Sequence, residues 1–177
     1  MFQKIKSLTV IFIVQVQKIF DNGYRYLFGI PTLKRSKITA NLYLGGQYNI
    51  RGLKKLKKMG ITAIVNMRTS SIYAEAKYEG IKYLHLPTID QTPPALEDLI
   101  KGAAFIEEEI NNNGKVYIHC HHGQGRGPSM AIAYLIKKGA TFEDAFSLVK
   151  SVRTFIKPTP GQTNRLKEFE TICKIKF

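Results

Sequence analysis

Acidic residues are scarce in this chain: 13 Asp and Glu stand against 27 Lys and Arg among 177 residues, a formal net charge of +14. Cysteine is scarce too, with only Cys120 and Cys173, too few for the disulfide framework of a small secreted domain. A reducing, cytoplasmic setting is therefore the expectation. No apolar run is long enough for a confident membrane span, and internal repeats and low-complexity tracts are lacking. Disorder is excluded by 44% hydrophobic and 11% aromatic residues. One domain is expected at this length, large enough to bury a core without a covalent staple.

The shortage of acid is local. Residues 1–58 carry twelve Lys/Arg and one acid, Asp21, a balance of +11, whereas residues 59–177 carry fifteen basic and twelve acidic residues. That distribution favours an acidic partner for the N-terminal third: an anionic membrane, a nucleic acid or an acidic protein. Nucleic acid has no aromatic-and-basic recognition motif to support it.

Residues 1–30 read as a basic, apolar extension to a domain over 31–177. Lys4 and Lys6 precede the apolar run Leu8-Thr9-Val10-Ile11-Phe12-Ile13-Val14. A helix from Leu8 to Ile19 would span about 18 Å, short of a hydrocarbon core of about 30 Å. No small-x-small site before Phe20-Asp21-Asn22-Gly23 suggests signal cleavage. Two readings stand: an interfacial anchor flanked by Tyr24, Tyr26 and Phe28, or a segment packed on the domain. Apolar residues recur all around the helical wheel, which weakens the amphipathic case.

Beyond Ile38 the pattern alternates. Strands are expected at Ile38–Leu44, Ile61–Asn66, Lys82–Leu86 and Lys115–His119. Helices are expected at Asn49–Met59, closed by Gly60; at Leu96–Ile110; at Gly127–Lys138; from Thr141 to about Val152; and near Gln162–Lys174. Thr141 and Asp144 have the spacing of a capping box. The implied fold is a single α/β domain with a central, mostly parallel sheet flanked by helices.

The chemistry concentrates in His119-Cys120-His121-His122-Gly123-Gln124-Gly125-Arg126-Gly127-Pro128. A cysteine at a strand end stands six residues before an arginine that opens a helix. Two intervening glycines let backbone N–H groups turn inward, forming an oxyanion cradle that the helix dipole reinforces. The same field favours a thiolate at the helix N-terminus. Arg126 can fork two hydrogen bonds to phosphate oxygens, and Pro128 suits the first helical turn. Thiolate, cradle and fork together describe a nucleophile for a phosphate ester.

The Cys120-x5-Arg126 loop resembles the signature loop of the cysteine-dependent tyrosine and dual-specificity phosphatases, a likeness that extends from about Ile38 to Glu170. Ile38–Gly46 resembles the family's first strand, Gly60–Asn66 its next core strand, and Tyr83–Asp90 the segment delivering a general acid. Asp90 stands thirty residues before Cys120, where such enzymes place that aspartate. The resemblance implies attack by Cys120, protonation of the leaving group by Asp90, and a cysteinyl-phosphate hydrolysed with Asp90 as base. It implies substrate binding by Arg126 and the amides of His121, His122, Gly123, Gln124, Gly125 and Arg126, a supporting role for His119, and no metal or other cofactor.

Where the family usually has Ser or Thr after the arginine, this chain has Gly127, which implies slow breakdown of the phosphoenzyme. Rhodanese-like Cdc25 phosphatases share a Cys-x5-Arg loop followed by Gly-Pro, but Gly123, Gly125, Leu42-Tyr43-Leu44-Gly45-Gly46 and Asp90 favour the dual-specificity type. The alternative function class is a phosphate-binding module without turnover, towards which Gly127 alone leans. Phosphorylated protein is the expected substrate; the basic N-terminal third makes a phosphoinositide or other lipid phosphate the alternative. Gln162 lies near the place of a water-orienting residue in the related enzymes, and equally suits a helix start.

Overall fold

In the computed structural model, the backbone is described for residues 2–176; side chains are described for the same span apart from residues 2–7, 75, 76 and 176. Lys4 and Lys6 lie outside the described side chains. Four strands, β1 (Leu42–Gly45), β2 (Ala63–Asn66), β3 (Lys82–His85) and β4 (Val116–His119), form a parallel sheet in the order β1-β4-β2-β3. Register places Gly45 and Asn66 on either side of His119, so the chain leaves the sheet's interior at Cys120.

Alternation along the strands divides two cores. Leu42, Leu44, Ala63, Val65, Val116 and Ile118 face a large apolar layer with the helices α3 (Leu96–Asn111), α4 (Arg126–Lys137), α5 (Phe142–Val152) and α6 (Pro160–Lys176). Tyr43, Ile64 and Tyr117 face the other way, onto Leu53 and Leu56 of α2 (Ile50–Lys58). Helix α4 is buried at every residue from Arg126 to Ile136, in keeping with an almost wholly apolar sequence after Arg126.

Local chemistry sets the element ends. Asn49 caps α2 by accepting from Gly52 N, and Gly60 closes it at φ 76°. Thr141 accepts from Asp144 N and donates to its carboxylate, at the N-terminus of α5. The first strand is shorter than expected because Thr39 Oγ1 accepts from the amides of Asn41 and Leu42, and Ile38 N returns to Leu42 O. That turn leaves only Leu42–Gly45 to pair.

The N-terminal segment departs most from expectation. Helix α1 runs Phe2–Phe28, well past the expected Ile19, and continues through Asp21-Asn22-Gly23. Tertiary contacts override the poor helix propensity there: Asp21 pairs with Arg153, and Arg25 donates to Gln47 O. Among the described residues no helix is long and apolar enough to cross a membrane.

Candidate active site

The loop from β4 to α4 is ordered through its carbonyls, each of which has a donor outside the loop's concave side. His119 Nδ1 lies 3.2 Å from Cys120 O, Gln47 N donates to His121 O at 2.9 Å, and Arg153 Nη2 donates to His122 O at 2.9 Å. Arg153 Nε donates to Gly123 O at 2.8 Å, Lys157 N to Gln124 O at 2.7 Å, and Ser129 N and Oγ to Gly125 O at 2.9 Å. In a planar trans peptide the next residue's N–H points opposite to the carbonyl. Carbonyls 120–125 held outward therefore aim amides 121–126 inward, at the α4 N-terminus. Gly123 N donates to Cys120 Sγ at 3.3 Å, a direct instance of this geometry.

Gly123 is also the one residue type its place permits. It sits at φ +66°, and a Cβ there would lie 2.5 Å from Gly45 O. Cys120 is buried at the base of the cradle, beside the first turn of α4: a Cβ built at Gly127 would lie 3.6 Å from its sulfur.

Arg126 is buried, and its guanidinium is aimed by the sheet ends: Nη1 donates to Thr88 O at 2.8 Å and to Met67 O at 3.4 Å. Nη2 meets Asp90 Oδ1 at 2.7 Å, although the Asp90 side chain is 71% exposed. Asp90 and Cys120, thirty residues apart in sequence, thus line one cleft with Arg126. Asp90 belongs to a turn in which Thr92 N returns to Ile89 O and Gln91 adopts φ 63°.

His119 is fully buried, with its ring edge-on to Tyr48; desolvation pushes its pKa down to about 3, so it is neutral and holds the Cys120 carbonyl. His121 and His122 are exposed and stacked, with ring centroids 4.2 Å apart. Their pKa values are lowered by partial desolvation and by nearby cations, Arg68 first for His121 and the His121 ring first for His122. Gln162 is buried with both ends of its amide bonded: Nε2 donates to Thr92 O and Oε1 accepts from Thr159 N. Cys120, Arg126, Asp90, His121, His122, Gln124, Gly125 and Gln162 border one open cleft of about 430 Å³.

Sequence reasoning missed Arg153, Gln47 and Lys157, since two of these act through backbone amides and a lone arginine after a helix carries no signal. Asp21 did carry one, as the single acid among the first 58 residues.

The dual specificity phosphatase catalytic domain model matches residues 42–172, which include every strand and the whole cleft. This chain belongs to that family. Mouse dual specificity protein phosphatase 12 is 29% identical over 139 residues, 77% of this chain and 41% of the relative. Human Slingshot homolog 1 is 29% identical over 161 residues, 89% of this chain and 15% of the relative. The chain thus spans less than half the length of these curated relatives. Among solved structures, Tk-PTP in its active form superposes with a TM-score of 0.73 at 27% identity, covering 79% of this chain and 99% of that one. PTPMT1 in complex with PI(5)P gives 0.73 at 25% identity, covering 78% and 96%. The fold is that of a dual-specificity phosphatase: a single α/β domain on a parallel sheet.

Proposed function

We propose that the protein hydrolyses phosphomonoesters through a cysteinyl-phosphate, acting on phosphotyrosine and phosphoserine/threonine in proteins. The observation that carries this reading is the buried sulfur of Cys120, which accepts from Gly123 N, in the same cleft as the Arg126–Asp90 pair. The thiolate of Cys120 attacks phosphorus, and the P–O bond to the leaving group breaks as Asp90 gives that oxygen its proton. Arg126 and the loop amides hold the non-bridging oxygens throughout, where charge develops. Water then attacks the cysteinyl-phosphate, losing a proton to Asp90 and releasing phosphate and thiolate.

The Arg126–Asp90 pair supports a sequence of events. An exposed carboxylate is a weakly held partner. An arriving phosphate monoanion competes with it for Nη2 of Arg126 and brings the proton that the freed Asp90 passes to the leaving oxygen.

Lipid phosphate at an anionic membrane is the second reading. Helix α1 favours it because its faces are inverted: polar Gln17, Asp21 and Arg25 contact the domain, while Leu8, Phe12, Val16 and Ile19 are exposed on the opposite side. Likeness to the phosphoinositide-bound PTPMT1 points in the same direction.

Phosphate release from phosphotyrosine and phosphoserine/threonine peptides and from phosphoinositide vesicles, with wild type beside Cys120→Ser, tests both readings. Release is expected with wild type and at background with Cys120→Ser. Preference for the peptides supports the first reading, and preference for vesicles replaces it with the second. Tight phosphate binding with no release anywhere would make the chain a binding module.

A further inference from the structure

Arg153 secures two of the six outward carbonyls of the loop, those of His122 and Gly123, and it does so from complete burial. Its remaining contacts are Arg35 O at 3.2 Å, the face of Phe155 at 4.4 Å, and Asp21 Oδ2 at 3.0 Å. A guanidinium cannot shed its proton, so an interior one needs a fixed counter-charge. That counter-charge comes from the far end of the chain: Asp21 of α1, itself fully buried, supplies the carboxylate. The neighbouring turn is tied to the same helix, since Thr154 Oγ1 donates to Gln17 Oε1.

We propose that Asp21 is a positioning residue of the phosphate loop. By neutralising Arg153 and fixing the plane of its guanidinium, Asp21 keeps the His122 and Gly123 carbonyls outward and the Gly123 and Gln124 amides inward. Helix α1 is thereby part of the active site, and the grip of the loop on an oxyanion depends on α1 being seated. Gly123 has no room for a side chain, since a Cβ there would lie 2.5 Å from Gly45 O and 3.0 Å from Arg153 Nε, and Arg153 Nε holds its carbonyl, so a shift of the guanidinium is passed directly to this peptide. The inference rests on the loop being the phosphate site proposed above.

The test uses the full chain and tungstate as the oxyanion probe, with affinity read by calorimetry and turnover read on a soluble aryl phosphate. Asp21→Asn keeps the size and an acceptor but removes the charge; Arg153→Lys keeps the ion pair but loses the fork. Both are expected to weaken tungstate binding and lower kcat/KM by about 10- to 100-fold, the scale of a small misplacement of catalytic groups. Ile106→Ala, in the α3 core, is the control for destabilisation alone: its melting temperature falls while its tungstate affinity stays at the wild-type value. Asp21→Asn with a lowered melting temperature and wild-type tungstate affinity would make the ion pair merely structural and overturn the proposal. Should Asp21→Asn fail to fold, Arg153→Lys alone decides it, by the same loss or retention of affinity. Wild type that binds no tungstate would instead sink the phosphatase reading itself.

Discussion

Gly127 borders the sulfur of Cys120 with no side chain of its own. A Cβ there would lie 3.6 Å from Sγ and 3.1 Å from Leu44 Cδ1, so a serine fits with a shift of a few tenths of an ångström in a leucine methyl. Ser129 does not stand in for it, because its hydroxyl is spent on Gly125 O at 2.9 Å. In the proposed reaction neither position offers the departing thiolate a hydroxyl, so the second step is expected to be slow. Gly127→Ser is expected to raise the rate of phosphoenzyme breakdown about tenfold, the worth of one hydrogen bond of about 1.5 kcal/mol to a charged group. Rapid-quench kinetics checks this: the wild-type burst of leaving group should shrink in the variant. An unchanged burst and steady state would show that the missing hydroxyl does not limit turnover. The residue-scale chemistry was legible early, because Cys120, Arg126 and Gly127 are neighbours in sequence. The arginine's carbonyl anchors at Thr88 and Met67 were not, since no side-chain type marks a backbone oxygen.

At the scale of elements, α1 combines two properties that oppose each other in an ordinary surface helix. It docks by a polar stripe and presents an apolar one, with Phe12 68% and Ile19 70% exposed on the side away from Asp21. Lys55 of α2 sits over the Phe28 ring at the end of α1, and residues 1–58 as a whole carry twelve Lys and Arg. An exposed apolar stripe in a basic segment suits an interface between acyl chains and anionic headgroups. Phe12→Asp combined with Ile19→Asp is expected to weaken binding to phosphatidylglycerol-containing vesicles about tenfold or more, since each side chain is worth about 1.5–3 kcal/mol when buried. Co-sedimentation at fixed salt measures it, and undiminished binding would remove α1 from any membrane contact. Hydropathy around the wheel did not reveal this polarity, because Val10, Ile11 and Ile13 spread apolar residues widely. Only the docked partners, Arg153, Thr154 and Gln47, define which side faces the domain.

For the whole molecule, the neutral His119 links folding to pH. Its pKa lies near 3 in the folded protein against an ordinary value of 6.5, because burial excludes the charged ring. Above pH 6.5 both states hold it neutral, and its contribution to stability is complete. Between pH 6.5 and about 3 the unfolded chain takes up a proton that the folded one refuses, so stability falls through that window. Urea melts of wild type and His119→Asn, compared from pH 7 to pH 4, should show the wild-type advantage narrowing as pH falls. A constant difference across that range would contradict the assignment. The same histidine steadies the Cys120 carbonyl, so the fold's acid sensitivity and the loop's geometry share one residue.

The sequence by itself determined the α/β class, the alternation of strands and helices and the Cys120–Arg126 loop, because each rests on local periodicity or short spacing, whereas Asp90 was singled out only through the family resemblance. Element ends followed wherever a capping residue marked them, as at Asn49 and Thr141. Tertiary structure alone decided where β1 begins, how far α1 runs and which groups turn the loop's carbonyls outward. Those outcomes depend on pairings between distant residues, Asp21 with Arg153 and Arg126 with Thr88, whose partners meet only once the sheet has brought β4 between β1 and β2.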